Sequence, residues 1–488
     1  MSRGRVRNSA WMLGGQLVGK GAFFASLMIY SRCLGDAEFG RLVFSVALGV
    51  FVLFLSDMGA TLVTTRRIAA SQATAASALG DAIQLRAFLA STAYLLLIAF
   101  GLLSGYSTGQ IYLLAMVGAG VVLEGFSETY FAAFRATETM QPEGIARLTE
   151  GIVCLGMAVT VALAGLGVEW AGFAYALRSA ASLAVCMVCA RSCSIVPAFG
   201  SDRSKLTGLL RESLPLGVMG LLLVSTQRLD NLLVMNNCGE AAVGSYQRCY
   251  RIYEALILVV APTLLPGALF PDLCRAVRRS PESARALIGN MTEVFLAISA
   301  LACIPLLAAG LDLPRLVWGP GFLGGVQVDR ILWTYRIFIL AIPVTYMFHV
   351  FLATVLALDR QSIVLPVFAA AVLLQMAGNL ALIPRFGLPA AASMQFMTVF
   401  FSTTLMWWKV RGFLSGTGAS AGLGRLIPSA ALGSLAGFAP PLPVPVRMVL
   451  GAGVFAVSWL AMGGRRRVAD LFGSSRQGES EPGLQDLD

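Results

Sequence analysis

Stretches of about twenty mostly apolar residues recur along this chain of 488 residues from its beginning almost to its end. A helix needs ~20 such residues to cross a bilayer. Only 13% of the residues are Asp, Glu, Lys or Arg, against about 25% in soluble domains, so the chain cannot cover a large water-facing surface. We therefore predict an all-α polytopic membrane protein with about fourteen transmembrane helices. The predicted spans are 10–30, 42–62, 85–103, 111–134, 150–166, 170–190, 214–234, 246–270, 291–311, 331–357, 363–383, 390–408, 426–439 and 446–462, the thirteenth being short.

The 36 basic residues are distributed unevenly over the predicted loops, and this asymmetry predicts the orientation. Loops that stay in the cytoplasm carry an excess of Lys and Arg. With both termini in the cytoplasm, most basic residues fall on that side. The basic N-terminus before an apolar run resembles a signal peptide, but Lys20 interrupts the run, so we expect an uncleaved first span. The sequence thus predicts a bacterial inner-membrane protein. Six basic residues fall on the outer side: Arg32, Arg41, Arg315, Arg330, Arg385 and Arg447.

A repeated turn divides the chain into two similar halves. Gly35-Asp36-Ala37-Glu38-Phe39-Gly40 follows the first span, and Gly239-Glu240-Ala241-Ala242-Val243-Gly244 follows the seventh. Six spans per half give both halves the same orientation, which is a parallel repeat. We expect a first lobe at 1–200, a second at 201–412, two further spans at 413–464 and a disordered cytoplasmic tail at 465–488. The polar segment 191–212 is expected to be a loop.

The first span and its flank, NSAWMLGGQLVGKGAFFASLMIYSRCLGDAEFGRLVFSVA, resemble the opening of the Wzx-type O-antigen flippases of the MOP (multidrug/oligosaccharidyl-lipid/polysaccharide) superfamily. Asp57-Met58-Gly59 matches the Asp-x-Gly of that family. Arg228-Leu229-Asp230-Asn231 and the segment 379–392 resemble two more of its motifs. The resemblance, over roughly residues 5–410, implies a MATE-like fold of two six-helix lobes around a central cavity. It also implies alternating access and a substrate that is an undecaprenyl-pyrophosphate-linked oligosaccharide.

Charged side chains inside predicted spans are the candidate functional residues, because charges in a bilayer are costly and usually face a cavity or a partner. Arginine suits a pyrophosphate, since its planar guanidinium donates paired hydrogen bonds. An alternative role is locking helices together, with Arg228 paired to Asp230 and Arg251 to Glu254, and Asp230 and Glu254 serving structure or gating. The candidate substrate-binding cations are Lys20, Arg228, Arg248, Arg251 and Arg336.

Two carboxylates in the fourth span, Glu124 and Glu128, are four residues apart and share one helical face. A carboxylate in a low-dielectric site can take up and release protons, so the pair is a candidate for ion coupling. The alternative is a packing role opposite nearby cations. We expect a structural role for Asp57 near the end of its span, and we expect His349 to be a hydrogen-bonded interior side chain. Arg178 is a weaker candidate, because it could extend to the membrane surface.

Other motifs do not point to chemistry. The segment from Gly14 to Lys20 fits the start of a nucleotide phosphate loop, but Gly21 stands where Ser or Thr is needed and no strand precedes it; close helix packing explains its small residues better. Cys186 and Cys189 have CxxC spacing in an apolar span without neighbouring His ligands. We therefore predict no catalytic residue, metal or cofactor.

The predicted partners are the lipid-linked oligosaccharide, the bilayer, a polysaccharide polymerase and a chain-length regulator, but not nucleic acid. The alternatives are a lipid II flippase or a MATE-type antiporter of the same fold. A membrane polysaccharide polymerase or ligase fits less well, because the longest predicted outer loop has about twenty residues (311–330) and the chain has one His.

Overall fold

A computed structural model describes residues 3–477 except 194, 201–202, 265–268, 320–321, 323–326, 415–418 and 439–441. The described residues form helices and contain no β-strand, which confirms the all-α prediction. The helices are α1 (Arg3–Cys33), α2 (Asp36–Asp57), α3 (Ala60–Ala70), α4 (Ala75–Leu103), α5 (Thr108–Ala136), α6 (Gln141–Ala164), α7 (Val168–Ser192), α8 (Arg203–Cys238), α9 (Glu240–Leu264), α10 (Phe270–Arg279), α11 (Pro281–Ala309), α12 (Asp312–Trp318), α13 (Val328–Ala357), α14 (Val364–Phe386), α15 (Leu388–Leu414), α16 (Ala419–Gly437), α17 (Val444–Trp459) and α18 (Arg465–Gln477).

Each predicted span corresponds to one of these helices, and ten helical segments of the described chain are long and apolar enough to cross a membrane. Helices α1, α9, α15 and α16 are not among the ten. α9, for example, carries Glu240, Arg248, Arg251 and Glu254 within its 25 residues. The count of fourteen spans therefore remains a prediction.

Hydropathy missed helices that lie outside apolar runs. α8 begins at Arg203, inside the segment expected to be a loop, and α18 continues to Gln477, where we expected a disordered tail. α10 and α12 also fall in segments that we had not assigned to separate helices. All four contain charged residues and good helix formers, so they can be helical without being apolar. The acidic residues at the end of the tail lie outside the described residues.

The described chain divides into two compact units. The first comprises Met1–Ser245 with Trp318–Val326, and the second Tyr246–Val317 with Gln327–Asp488. α8 therefore belongs to the first unit, where it contacts α2, α3 and α4. The predicted lobe boundary near residue 200 precedes this helix.

Small residues bring α1 and α6 into close contact in the first unit. A Cβ atom on Gly15 would lie 2.8 Å from the Cα atom of Gly144, and one on Gly19 would lie 3.2 Å from the carbonyl oxygen of Arg147. Further along the same pair, Cys154 lies beside Ser26. Since both residue numbers increase together, the two helices run parallel. Two of the three glycines in the segment resembling a phosphate loop, Gly15 and Gly19, thus serve helix packing.

The two repeated turns lie against each other through their last glycines. A Cβ atom on Gly40 would lie 1.9 Å from the carbonyl oxygen of Glu240, and one on Gly244 would lie 2.8 Å from the carbonyl oxygen of Asp36. Asp36 and Glu240 are the first residues of α2 and α9. Equivalent glycines of the repeat therefore make reciprocal contacts, and a side chain at either position would separate the two helices.

Candidate functional site

Asp57 organises the turn between α2 and α3. Met58 and Gly59 have positive φ angles of 40° and 80°, and the Asp57 carboxylate accepts hydrogen bonds from the backbone N–H groups of Gly59 (3.1 Å) and Thr61 (3.2 Å). It also pairs with the buried guanidinium of Arg86, which reaches across from α4. Arg86 donates further to the carbonyl oxygen of Gly125 on α5. The Asp-x-Gly segment thus connects three helices of the first unit.

Four charged side chains of α5 and α6 form a network in the first unit, with Glu143 buried and the other three partly buried. Arg147 donates to Glu128 (2.8 Å) and to Glu143 (3.2 Å). Arg135 donates two hydrogen bonds to Glu143, at 2.7 and 2.5 Å, and lies 3.7 Å from Glu128. Two carboxylates meet two guanidinium groups, so the formal charges of this network balance.

Glu124 belongs to a different group. Arg178 of α7 donates to Glu124 over 3.0 Å and also pairs with Glu150 of α6. The hydroxyl of Tyr175 donates to the same Glu124 oxygen over 3.2 Å. The Arg178 guanidinium lies 3.9 Å from the centroid of the Tyr175 ring. Arg178 is 5% exposed. It therefore does not extend to the membrane surface, which was the alternative considered from the sequence. One guanidinium here serves two carboxylates.

A cavity with room for about one water molecule lies next to this group, between α1, α2, α6 and α7. Its lining includes Ser26, Tyr30, Cys154, Tyr175 and Arg178. The Tyr30 hydroxyl and the Arg178 Nε atom are buried and find no hydrogen-bond partner among the described residues. Buried polar groups normally have partners, so two unsatisfied donors on one cavity indicate a place for a hydrogen-bond acceptor.

Glu150 is not among the predicted site residues because the apolar run begins at that residue, whereas α6 begins at Gln141. The spacing of Glu143, Arg147, Glu150 and Cys154 places all four near one face of a helix. That spacing is the signal that could have identified Glu150. It could not identify Arg178 as the partner, because that contact depends on how α6 and α7 pack.

The predicted substrate-binding cations lie in different environments. Arg228 and Arg248 are buried at 7% and 0% exposure, in α8 and α9 respectively. Arg251 is also buried and donates to Glu254 over 2.5 Å. Arg336 is half-buried, with its guanidinium 5.6 Å from the Trp333 ring centroid, and Lys20 is exposed on α1. Lys20 and Arg228 belong to the first unit and the other three to the second.

Aromatic and hydroxyl contacts join α9 to α13 in the second unit. The rings of Tyr246, Tyr250 and Tyr253 all lie within 5.5 Å of the Phe338 ring of α13, measured between centroids. The Tyr253 hydroxyl is 2.8 Å from that of Thr345. These contacts fix the helix that carries Arg248 and Arg251.

The remaining candidates are polar side chains with local partners. Asp230 is fully buried in α8, and its carboxylate accepts hydrogen bonds from the backbone N–H (2.8 Å) and side-chain amide (2.9 Å) of Asn231. His349 lies 2.7 Å from the carbonyl oxygen of Thr345, through Nδ1. No group of three or more His, Cys, Asp or Glu side chains suited to a metal occurs among the described residues.

Comparison with solved structures identifies the fold. The chain is similar to the lipid II flippase MurJ in an inward closed conformation, with a TM-score of 0.73 and 10% identity over 95% of this chain and 100% of that one. It is also similar to an inward-facing multidrug resistance MATE family transporter of the MOP superfamily, with a TM-score of 0.66 and 13% identity over 84% and 99% of the two chains. These likenesses confirm the predicted MATE-like fold.

A third solved structure is a MOP superfamily transporter from Pyrococcus furiosus, described as having a binding pocket of reverse polarity that suggests a different function. The TM-score is 0.57 and the identity 15%, over 85% of this chain and 96% of that one. No curated protein sequence matches the chain. A family model described as "Polysaccharide biosynthesis protein" matches residues 5–276, which is more than half of the chain. The chain therefore belongs to this family of polysaccharide biosynthesis proteins.

Proposed function

We propose that the protein is a flippase that moves polyprenyl-pyrophosphate-linked oligosaccharide units across the inner membrane by alternating access. The observation that carries the proposal is the family match over residues 5–276 in a chain with the fold of a lipid flippase. Both termini would lie in the cytoplasm. The product would serve the synthesis of O-antigen, capsule or exopolysaccharide, with a polymerase and a chain-length regulator as the next partners.

The chemistry of the cargo supports this assignment. A pyrophosphate carries negative charge that the hydrocarbon core does not solvate, so a translocating protein must supply cations and hydrogen-bond donors. Arg228, Arg248 and Arg251 are buried in α8 and α9. Arginine donates paired, charge-assisted hydrogen bonds to phosphate oxygens. We propose that these three, with Lys20 and Arg336, contact the substrate during its passage.

The alternatives fit this arrangement less well. A MATE-type antiporter of cationic drugs needs a predominantly acidic cavity, whereas this chain places arginines within its helices and carries a net charge of +10. A polymerase or ligase would need a catalytic outer segment, and the solved structures of this fold are described as flippases and transporters. A lipid II flippase shares the pyrophosphate chemistry and remains the second candidate, because MurJ has a similar fold.

The test combines deletion of the gene with substitution of the arginines. Loss of the protein should abolish surface polysaccharide and leave the lipid-linked oligosaccharide in the cytoplasmic leaflet, where an added glycosidase cannot reach it in intact spheroplasts. Growth arrest with accumulation of lipid II would instead identify a lipid II flippase. Survival with normal surface polysaccharide and increased drug sensitivity would identify an antiporter.

We expect Arg228→Ala and Arg251→Ala each to lower the initial rate of export about tenfold or more, because a hydrogen bond to a charged group contributes about 1.5–3 kcal/mol. Lysine at either position should restore only part of the rate, since it keeps the charge but loses the planar fork. The matched control is Arg211→Ala, which removes an exposed arginine of the same α8 helix. Full export by the double alanine variant, at wild-type protein level, would rule out a substrate role for both arginines.

Coupling to an ion gradient is a further part of the proposal. The transport reaction needs either an energy source or removal of the product by polymerisation. Glu124 and Glu128 are the carboxylates that we proposed from the sequence as coupling residues, and each contacts an arginine in the first unit. Glu124 contacts Arg178, whereas Glu128 contacts Arg147. The two groups differ in charge balance, and this difference distinguishes the two glutamates as candidates for coupling.

A further inference from the structure

We propose that Glu124 and Glu150, bridged by Arg178 beside the cavity of the first unit, form a buried proton-binding site, with Glu150 rather than Glu128 as the partner of Glu124. The inference deepens the proposed function and rests on it only for the consequence of the proton, not for its binding. It follows from the charge balance of the two networks, the unsatisfied donors at the cavity and the accessibility of Glu124.

The charge balance distinguishes the two glutamates of α5. Glu128 and Glu143 face two guanidinium groups, those of Arg135 and Arg147. Glu124 and Glu150 share the guanidinium of Arg178. An uncompensated negative charge away from water is costly, and one added proton makes the second group neutral. Of Glu124 and Glu150, one carboxylate therefore lacks a guanidinium of its own.

The surroundings of this group contain several other titratable or charged side chains. Tyr175 and Cys154 interact with Arg178, and both line the cavity together with Tyr30. Glu128 and Arg147 contribute charges of opposite sign from the neighbouring network. On α1, Lys20 is adjacent to Gly19, which lies close to Gly151 of α6. Lys20 is exposed and makes contacts of its own, so its contribution is tested directly below.

The cavity supplies a second, independent observation. Tyr30 and Arg178 both line it, and both residues are 95% buried. Neither atom has a hydrogen-bond partner among the described residues. A water molecule accepting from both would complete their hydrogen bonds in the available space. It would also give the carboxylates a polar neighbour through which a proton can be exchanged.

The exposure of the two glutamates indicates the direction of entry. The Glu124 side chain is 25% accessible, whereas those of Glu150 and Arg178 are 12% and 7% accessible. Of the two carboxylates, Glu124 is therefore the more accessible to an incoming proton. The added proton forms one O–H bond and replaces one ionic contact with Arg178, while the other carboxylate keeps the guanidinium. Release reverses these two changes.

Infrared difference spectroscopy of the purified full chain in lipid nanodiscs tests this site without any substrate. On acidification, the wild-type protein should gain a carbonyl band from one buried protonated carboxyl group. Glu124→Gln and Glu150→Gln should each abolish this band, because one carboxylate then remains for one guanidinium. Glu128→Gln and Lys20→Met should retain it, as should Glu212→Gln, which removes an exposed carboxylate of α8.

The site is overturned if the wild-type band is missing across the pH range in which the protein stays folded. It is also overturned if the band survives both Gln substitutions, or disappears in Glu128→Gln or Lys20→Met. If a Gln variant fails to fold, Glu124→Asp and Glu150→Asp keep the charge. A shift of the band frequency in either variant supports the site, whereas unchanged bands in both overturn it. A titrating band without lipid flipping would reject the proposed function alone, and flipping without the band would reject only this site.

Discussion

Asp57 connects a turn of positive φ to a buried arginine, and its removal should be much more costly than that of an exposed carboxylate. Asp57→Ala leaves Arg86, which is 2% exposed, without its carboxylate. Breaking a buried pair on one side typically costs 3–5 kcal/mol. We expect a loss of about 3 kcal/mol or more in the free energy of unfolding, measured in detergent by denaturant titration of the purified protein.

Glu212→Ala is the control for this prediction. It removes a carboxylate that lies 2.5 Å from Arg67, in a pair whose side chains are 51% and 37% exposed. Exposed pairs contribute about 0–1 kcal/mol, so this variant should unfold close to the wild type. Equal destabilisation by the two substitutions would show that the Asp57–Arg86 pair has no special role in the turn.

Individual charged residues could be identified from the sequence, but their interaction partners could not. Glu124, Glu128 and Asp57 could be identified because charge in an apolar run is visible without coordinates. Their partners could not, because a guanidinium reaches several helices and the choice depends on packing. Arg178 illustrates this: the sequence left open that it extends to the membrane surface, but it pairs with two carboxylates.

At the scale of the elements, the crossing of α2 and α9 depends on the absence of side chains at Gly40 and Gly244. Gly40→Ala would place a methyl group 1.9 Å from the Glu240 carbonyl oxygen, which is backbone and cannot rotate away. The two helices must move apart, so we expect a clear fall in thermal stability and in the amount of folded protein. Thermal unfolding monitored by size-exclusion chromatography measures this effect.

Gly156→Ala is the matched substitution for that experiment. Gly156 is a helical glycine of α6, and nothing lies within 4 Å of the position that its Cβ atom would take. Alanine is favoured over glycine within helices by roughly 0.5–1 kcal/mol, so this variant should be as stable as the wild type or slightly more stable. Unimpaired Gly40→Ala protein would contradict the close crossing.

Glu293 connects the C-terminal helices to α11 in the second unit. It is 3% exposed and receives two hydrogen bonds from Arg425 of α16, at 3.0 and 2.7 Å. Arg467 of α18 lies 3.3 Å from the same carboxylate. Glu293→Ala should loosen both helices, because two guanidinium groups lose their shared acceptor. Hydrogen–deuterium exchange should become faster in α16 and α18, whereas exposed Glu282→Ala in the first turn of α11 should leave it unchanged.

Apolar runs predicted the positions of the long helices, because a membrane-crossing helix requires about twenty apolar residues and satisfied backbone hydrogen bonds. They did not predict where each helix begins. α6 begins nine residues before its apolar run and thereby brings Glu143 and Arg147 into the helix. α8 likewise begins at Arg203. Polar helix ends of this kind are not detected by hydropathy, although the start of α6 contributes Glu143 and Arg147 to the network with Glu128 and Arg135.

At the scale of the whole molecule, the orientation of the chain depends on whether α9 crosses the membrane. Ser107 precedes α5, and Gly387 follows α14. Seven of the helices that qualify as spans by length and composition lie between these two positions, and α9 is not one of them. If α9 also crosses, the number becomes eight and both positions face the same side. Every residue from Ala242 to Tyr253 is buried in the protein, so Arg248 and Arg251 do not face lipid and need not prevent crossing.

We therefore expect alkaline phosphatase fusions at Ser107 and Gly387 to be active in the periplasm, and fusions at Arg203 and Ser280 to be inactive. A fusion at Gly165, between α6 and α7, should also be active. Matched fluorescent-protein fusions, which fluoresce only in the cytoplasm, should give the opposite pattern at every site. Activity at Ser107 but not at Gly387 would show that α9 does not cross, which would reverse the orientation of α11, α13 and α14 and remove the parallel repeat.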